Sequence, residues 1–426
     1  MAESTFQHGN RGETLGILVG GGPAPGINGV IRSATIEATN HGMRVVGIMD
    51  GFKWLARGDN SKITRLDISQ VSRIHFRGGS ILRTSRVNPT SSQEMMDNAV
   101  RALRNLEIDY LITIGGDDTA YSAMRIDEAT GDWLHVAHVP KTIDNDLPLP
   151  GRASTFGYQT ARHVGVGIIQ NIMTDAATTS RWYFIIAMGR KAGHLALGIG
   201  RAASATVSLI PEEFRGKKVP LSHIADILEG AIIKRRSMGK DYGTAVIAEG
   251  LAEVVQPEDL AELDGVERDD HGHIRYSEIP FGRILQQQVR KRLKARGIDT
   301  TIVNKNIGYE LRCADPIPFD QEYTQDLGYA AMAFLSQGKT SSMISLQGGQ
   351  VIPVPLKEML DPETGRTQVR LVNVDSDSYL VARHYMIRLN QDDFSDPGRL
   401  GRLARAGHMQ PQEFQDRFSY LAQPIS

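Results

Sequence analysis

The chain predicts a doubly wound α/β architecture, built twice along its 426 residues. Three observations carry that reading. Short apolar runs stop abruptly at Gly or Pro, helical stretches separate them, and the alternation recurs on both sides of about residue 150. Apolar strands of this kind, with helices in between, suit a parallel sheet covered on both faces.

In order, residues 1–13 read as a loose polar tail. The run 15–19 closes on Gly20, Gly21 and Gly22, and a helix is expected over 27–39. The run 43–49 closes on Asp50 and Gly51. A helix over 92–106 leads to the run 110–114, closed by Gly115 and Gly116. A helix over 119–129 leads to the run 134–139, closed by Pro140. The second half repeats the pattern with strands at 182–188, 205–210, 244–248 and 300–303, and helices at 191–203, 221–237 and 282–296. The acidic stretch 262–278 reads as an exposed loop or hairpin. Beyond about 340, strand-like runs at 351–354 and 369–374 mix with polar helix. The expected domains are 14–150 with a return at about 312–375, and 151–311 with a return at about 376–426.

Composition narrows the function. Lys and Arg number 48 against 49 Asp and Glu, a net charge of −1, which argues against a basic nucleic-acid surface. Hydrophobic residues at 41% and charged residues at 23% describe a globular protein rather than a disordered one. Cys313 is the single cysteine and suits a reducing compartment. No apolar stretch approaches the roughly 20 residues of a membrane span, and the polar start lacks a signal-peptide core. A cytoplasmic protein is expected, without nucleic-acid or membrane partners.

Glycines, 43 in all, cluster where apolar runs end. Four loops stand out, because ligands of open parallel sheets bind at the carboxyl ends of strands. Gly20–Gly26 (GGGPAPG) offers close backbone approach to an anion and a following helix N-terminus. It is neither G-x-G-x-x-G nor a P-loop, and alone it reads equally well as a tight turn. Gly115-Gly116-Asp117-Asp118-Thr119 sets two carboxylates after a double glycine, either a surface turn or a holder for a hard metal such as magnesium. Pro140-Lys141-Thr142-Ile143-Asp144-Asn145-Asp146 gathers a cation, a hydroxyl and two acids, although taken alone it also reads as a solvated loop. Met188-Gly189-Arg190-Lys191 places two bases where a helix is expected to start, an arrangement that invites an anion.

Together these loops resemble the phosphofructokinase family. The likeness runs from about Leu15 to about Gly338 through GGGPAPGIN (20–28), RGGSILRTSR (77–86), GGDDT (115–119), PKTIDND (140–146), MGRKAGHLA (188–196), AEG (248–250) and GYELRCADPIPFD (308–320). It implies two similar Rossmann-like domains with the active site in the cleft between them, the first binding the phosphoryl donor and the second fructose 6-phosphate. It also implies magnesium-dependent phosphoryl transfer to the sugar's 1-hydroxyl. Asp144 would be the base, with Thr142 and Asp146 supporting the transition state and Asp117 holding the metal. Gly22 and Arg77 would border the donor phosphates. Met188, Gly189, Arg190 and Glu249 would hold the sugar, and Tyr309 and Arg312 its 6-phosphate. Arg181 matches a family arginine that reaches in from a neighbouring subunit, which implies a homodimer or homotetramer.

Two departures from ATP-using members point to diphosphate as donor. Asp118 stands where they have glycine, filling the space of a nucleotide α-phosphate and repelling its charge. Lys141 stands where they have another glycine, giving a cation to a short inorganic donor. Pro23 leans the same way. Tyr309 and the Cys313-Ala314 pair depart from the family at the 6-phosphate side.

Three alternatives stay open: an ATP-dependent member, a non-catalytic sugar-phosphate sensor, and a nicotinamide dehydrogenase using Asp50. Intact GGD and TIDND motifs oppose the second, and the missing third glycine opposes the third. His135 and His138 point to opposite faces of one strand and suit no shared metal. Cys313 reads as a buried thiol, and 234–236 (KRR) as a solvated helix end.

Overall fold

The computed structural model describes residues 12–151, 153–261, 279–365 and 367–423. The expected tail before Gly12 and the acidic stretch 262–278 lie outside the described residues. The strands, in chain order, are β1 (Thr14–Val19), β2 (Arg44–Ile48), β3 (Ile63–Leu66), β4 (Tyr110–Gly115), β5 (His135–Thr142), β6 (Phe156–Gly157), β7 (Trp182–Ala187), β8 (Val207–Leu209), β9 (Gly243–Ala248), β10 (Ile302–Ile307), β11 (Ser342–Gln347) and β12 (Gln350–Pro355). Two compact units divide the chain: Met1–Ala161 with Tyr309–Arg370, and Arg162–Gly308 with Leu371–Ser426.

The first unit carries a sheet of order β12-β11-β5-β4-β1-β2-β3, with β6 beside β5. Strands β2, β1, β4, β5 and β11 are parallel, while β3 and β12 add antiparallel edges. Alternation within β1 shows how the sheet is covered. Leu15, Ile17 and Val19 pack with Ile27 and Val30 of the helix Ile27–Asn40 and with Leu327 and Leu335 of the helix Pro318–Ser336. Leu18 turns to the other face, against Ala99 and Leu103 of the helix Gln93–Asn105. Each of these side chains leaves water completely, which contributes roughly 1.5–3 kcal/mol per large aliphatic group.

The chain order reverses at β1. It steps one way to β2 and later crosses back to β4 on the other side. The carboxyl ends of β1 and β4, next to the reversal, are where Gly20 and Gly115 stand. That is the switch point at which open α/β sheets bind ligands.

The second unit carries an all-parallel sheet of order β10-β7-β9-β8. Trp182 and Phe184 of β7 are fully buried among Ile224 and Leu228 of the helix Leu221–Ser237 and Leu285 and Val289 of the helix Phe281–Ala295. A Cβ on Gly243 of β9 would meet the Trp182 indole at 2.6 Å, so this strand position admits only glycine.

Some expectations need correction. Residues 369–374 form no strand; they are irregular backbone. The helices Tyr158–Thr179 and Pro318–Ser336 were not anticipated, the first because Gly165 and Gly167 interrupt its pattern. Gly165 is glycine because Ile199 would lie 2.4 Å from any Cβ there. The 234–236 cluster is not simply solvated: Lys234 pairs with Asp393 at 2.6 Å, the two side chains 13% and 5% exposed. Cys313 is exposed, not buried.

Candidate active site

The donor-side loops of the first unit are fixed by backbone packing. Gly20 N–H donates to the Ile114 carbonyl, and Gly21 N–H to the Ser85 carbonyl, so the loop after β1 is tied to β4 and to the 77–86 segment. Gly21 and Gly26 have φ of +78° and +105°, the left-handed region that glycine tolerates. Thr119, 6% exposed, fills the space under both glycine loops, 2.3 Å from where a Cβ on Gly20 or Gly115 would stand.

His138 locks the second loop from below. Its Nε2–H donates to the Gly115 carbonyl at 3.1 Å, and the Thr113 hydroxyl donates to Nδ1 at 2.8 Å. Burial pushes this imidazole down to about 3, so it stays neutral in that tautomer. Together with His135, which stacks on Tyr110, it forms no metal pair.

Asp117 and Asp118 open the helix Asp117–Thr130, where the dipole favours negative charge. Asp117 is half-buried and Asp118 exposed. Lys141, the last residue but one of β5, is only 4% exposed, and its ammonium donates to the Gly22 carbonyl. Burial lowers it to about 8; Arg312 and Arg86 press the same way, while Asp144 and Asp117 oppose. Two other cations and two carboxylates therefore act on Lys141, and Lys141 and Arg312 themselves lie against the first glycine loop. Arg312 Nη1 sits 3.1 Å from the position of a Cβ on Gly22, and its guanidinium stacks 4.6 Å from the ring of Tyr309, which is 71% exposed.

Sequence reasoning placed Arg312 on the sugar phosphate; the structure sets it in the first unit, beside Gly22 and Lys141. It assigned Arg86 no role at all.

The 140–146 segment turns sharply after β5. Asp144 N–H donates to the Thr142 hydroxyl at 3.0 Å, and Asn145 adopts φ +57°. Arg370 holds that turn, donating to the Asn145 carbonyl from Nε and Nη2 and to the Ala153 carbonyl from Nη1 at 2.6 Å. Its own N–H reaches the Asp146 carbonyl at 2.7 Å. Nothing in the sequence marked this arginine, because it lies 225 positions away in a segment that carries no motif.

Arg77 is exposed, and its loop is oriented by Asn28, whose amide donates to the Arg77 carbonyl at 3.0 Å and accepts from Ile81 N–H. Gly78 N–H donates to Asp315 at 2.7 Å. Asp320, fully buried, accepts from Gly157 N–H, Thr160 N–H and the Thr160 hydroxyl, and burial raises its carboxyl. Asp50 accepts from the Trp54 indole at 2.9 Å, and a Cβ on Gly51 would lie 2.6 Å from the Val19 carbonyl. Those contacts account for the pair as a tight turn and remove the reason to read Asp50 as a ribose ligand.

In the second unit, the loop after β7 is equally tight. Gly189 has φ +130° and donates to Glu249 at 3.3 Å, while Gly250 donates back to the Gly189 carbonyl. A Cβ on Gly250 would lie 2.1 Å from the Arg190 carbonyl, and one on Gly308 would lie 2.8 Å from Met188 Cβ. Thus Met188, Gly189, Arg190 and Glu249 come together at the carboxyl ends of β7, β9 and β10. The expected helix start is corrected: helix His194–Ala203 begins after Gly193, so Arg190 and Lys191 stand in the loop itself. Arg181 precedes β7 and stands at its opposite end from Arg190, across a strand about 20 Å long at about 3.3 Å per residue.

The carboxylates fit a magnesium ion. Asp117 and Asp144 both act electrostatically on Lys141, and both offer hard oxygen donors. Among the described residues no group of three or more His, Cys, Asp or Glu side chains could form a cage. Magnesium is commonly bound by one or two carboxylates and completed by substrate phosphates.

The comparisons with known proteins come from both sequence and fold. A family model described as Phosphofructokinase matches residues 14–335. A pyrophosphate–fructose 6-phosphate 1-phosphotransferase of Thermotoga maritima is 53% identical over 411 residues, covering 95% of this chain and 98% of the relative. One of the same description from Naegleria fowleri is 48% identical over 419 residues, covering 96% of each. The crystal structure of a pyrophosphate-dependent phosphofructokinase from Marinobacter aquaeolei superposes with a TM-score of 0.65 at 17% identity, over 93% of this chain and 92% of that one. That last likeness concerns the fold alone.

Proposed function

Since the chain belongs to the phosphofructokinase family, we infer that it transfers a phosphoryl group reversibly from diphosphate to the 1-hydroxyl of fructose 6-phosphate. The products are fructose 1,6-bisphosphate and phosphate. One observation carries the reading of the site: Lys141 and Arg312 both lie against the first glycine loop, with Arg86, Asp117 and Asp144 close enough to act on the Lys141 ammonium. Phosphoryl transfer asks a protein chiefly for positioning and for charge to spread over the transferring group, and that cluster supplies both.

In this reading Asp144 accepts the proton of the 1-hydroxyl as its oxygen bonds to phosphorus. The bond from phosphorus to the bridging oxygen breaks, and phosphate leaves toward Lys141, Gly22 and Arg77. Thr142 keeps Asp144 in place through the turn it caps. Asp117, with Asp146 in support, would hold magnesium, which would supply positive charge beside the diphosphate. Met188, Gly189, Arg190 and Glu249 hold the sugar. Tyr309 and Arg312 take its 6-phosphate, with Arg312 facing the donor as well. Arg181 stands too far along β7 to serve the same loop and completes a second subunit's site, which makes the working enzyme a homodimer or homotetramer. The exposed Cys313 suits the reducing cytoplasm, and no helix among the described residues is long and apolar enough to cross a membrane.

Asp118, exposed in the first helical turn, excludes a nucleotide from the donor place and so favours diphosphate over ATP. The deciding experiment compares initial rates with fructose 6-phosphate and magnesium when diphosphate or ATP is the donor. Turnover with diphosphate alone supports the whole reading. Turnover with ATP alone retains the family chemistry and refutes the role of Asp118, and silence with both refutes catalysis.

A further inference from the structure

The second unit holds a cavity of about 530 Å³ whose walls include Arg383, Arg388, Glu213, His223 and Tyr379. We propose that this cavity binds a small phosphate monoester through the Arg383 and Arg388 guanidiniums, at a site separate from the residues of catalysis.

Charge is the first argument. Two arginines face a single carboxylate. Arg388, 7% exposed, is paired with Glu213. The Arg383 guanidinium has no side-chain hydrogen bond or ion pair among the described residues; the hydrogen bond it shares with Met386 N–H is made by its backbone carbonyl. Burial lowers its guanidinium to about 10, and Arg388 presses the same way against the pull of Glu213. A half-buried guanidinium that shares its one nearby carboxylate with a second arginine is incompletely neutralised, a deficit that an incoming anion would offset. The other ionisable groups do not cancel the excess. Arg215 at the rim is already matched by Asp375 at 2.7 Å. Burial lowers His223, Arg388 adds to that, and Asp226 opposes, so the imidazole offers a neutral N–H rather than a charge. His384 also lines the cavity.

Geometry chooses the ligand class. Guanidinium forks match phosphate oxygens in pairs, which a single carboxylate cannot use as fully. A volume of about 530 Å³ lies in the range of small-molecule pockets and leaves room for a few carbons beside the phosphate.

The cavity also touches the loop assigned to the sugar, a link that rests on the proposed function where the binding itself does not. Glu213 belongs to the turn Pro211–Phe214. Its neighbour Glu212 accepts from Gly193 N–H at 2.9 Å, just after the Met188–Lys191 segment, and from Val372 N–H at 3.0 Å. An anion that draws Arg388 away from Glu213 therefore pulls on a turn anchored to that loop.

The test is calorimetric titration of phosphoglycolate into the full chain, which reads binding whether or not the enzyme turns over diphosphate. In Arg383→Gln affinity should fall by roughly tenfold or more, while kcat and both KM values without phosphoglycolate stay unchanged. Leu380 lines the same cavity at 53% exposure, so Leu380→Glu adds repulsion without disturbing the interior and should weaken binding about fivefold. Equal affinity in all three chains, or no wild-type binding up to about 10 mM, overturns the proposal.

Discussion

Arg370 grips Asn145 across 225 positions of chain, its Nε and Nη2 donating to the Asn145 carbonyl at 3.1 and 3.0 Å. Asn145 is in the left-handed region at φ +57°, a conformation that costs on the order of 1 kcal/mol for a residue with a side chain. The arginine therefore stabilises a strained turn immediately after the proposed base.

Arg370→Ala should lower kcat by about 10- to 100-fold while leaving the KM for diphosphate within about threefold, because a slight displacement of Asp144 affects chemistry more than donor binding. Arg370→Lys should recover only part of the loss, since a point charge cannot span the carbonyls of both Asn145 and Ala153. Steady-state kinetics on the two variants decide it; full recovery by lysine would show that charge alone matters.

Lys141 predicts a pH dependence. Its folded-state value near 8 lies below the ordinary 10.5, so between these values the unfolded chain holds a proton that the ligand-free fold has lost. Stability contributed through this group therefore rises with pH across that window. Donor affinity runs the opposite way, because diphosphate needs the ammonium. The KM for diphosphate should climb above about pH 8, and in Lys141→Met it should be higher throughout and lack that rise. A profile unchanged by Lys141→Met would place the controlling proton elsewhere.

Asp144→Asn should reduce kcat by about 10³- to 10⁴-fold, the range expected for a lost general base. Calorimetric binding of fructose 6-phosphate should remain close to wild type. Retained turnover would exclude Asp144 as the proton acceptor.

Asp118→Gly tests donor choice. Removing the side chain from the first turn of the helix Asp117–Thr130 should increase ATP-supported rates by at least about tenfold relative to diphosphate. No gain in ATP use would remove the steric argument.

Gly250→Ala separates the two substrates. Its new methyl would press on the Arg190 carbonyl, which lies 2.1 Å from the ideal Cβ position. The KM for fructose 6-phosphate should rise by about tenfold or more, with donor affinity measured by diphosphate titration unaffected. Equal losses for both substrates would mean a general unfolding rather than a local displacement.

Much of this architecture was legible because strand ends in parallel sheets are punctuated by small residues. The helix expected at 221–237 is observed as Leu221–Ser237, and the strand expected at 15–19 as Thr14–Val19. The site loops were legible for the same reason: Gly20, Gly115 and Gly189 each sit where a strand gives way to a helix or loop. What escaped was non-local. Arg370 and Asp320 act on residues more than 150 positions away, through contacts that leave no periodic trace. Asn28 sets the 77–81 segment from within a helix that otherwise reads as ordinary core. The placement of Arg312 beside Gly22 also depended on tertiary approach, not spacing.

The outer strand of the first sheet has a consequence for the fate of the protein at high concentration. Strand β12 is an edge, and its Val351 and Ile352 are exposed, a combination that ordinarily templates aggregation. Pro353 and Pro355 pair with Ile344 and Ser342 of β11, and prolines in an edge strand sit where the absent N–H would have faced outward. Two donors are thereby removed from the same side of one short strand, so an approaching strand finds no continuous ladder to join. Replacing both prolines by residues with an amide hydrogen would open that edge and turn a protected strand into a seed for fibrous association.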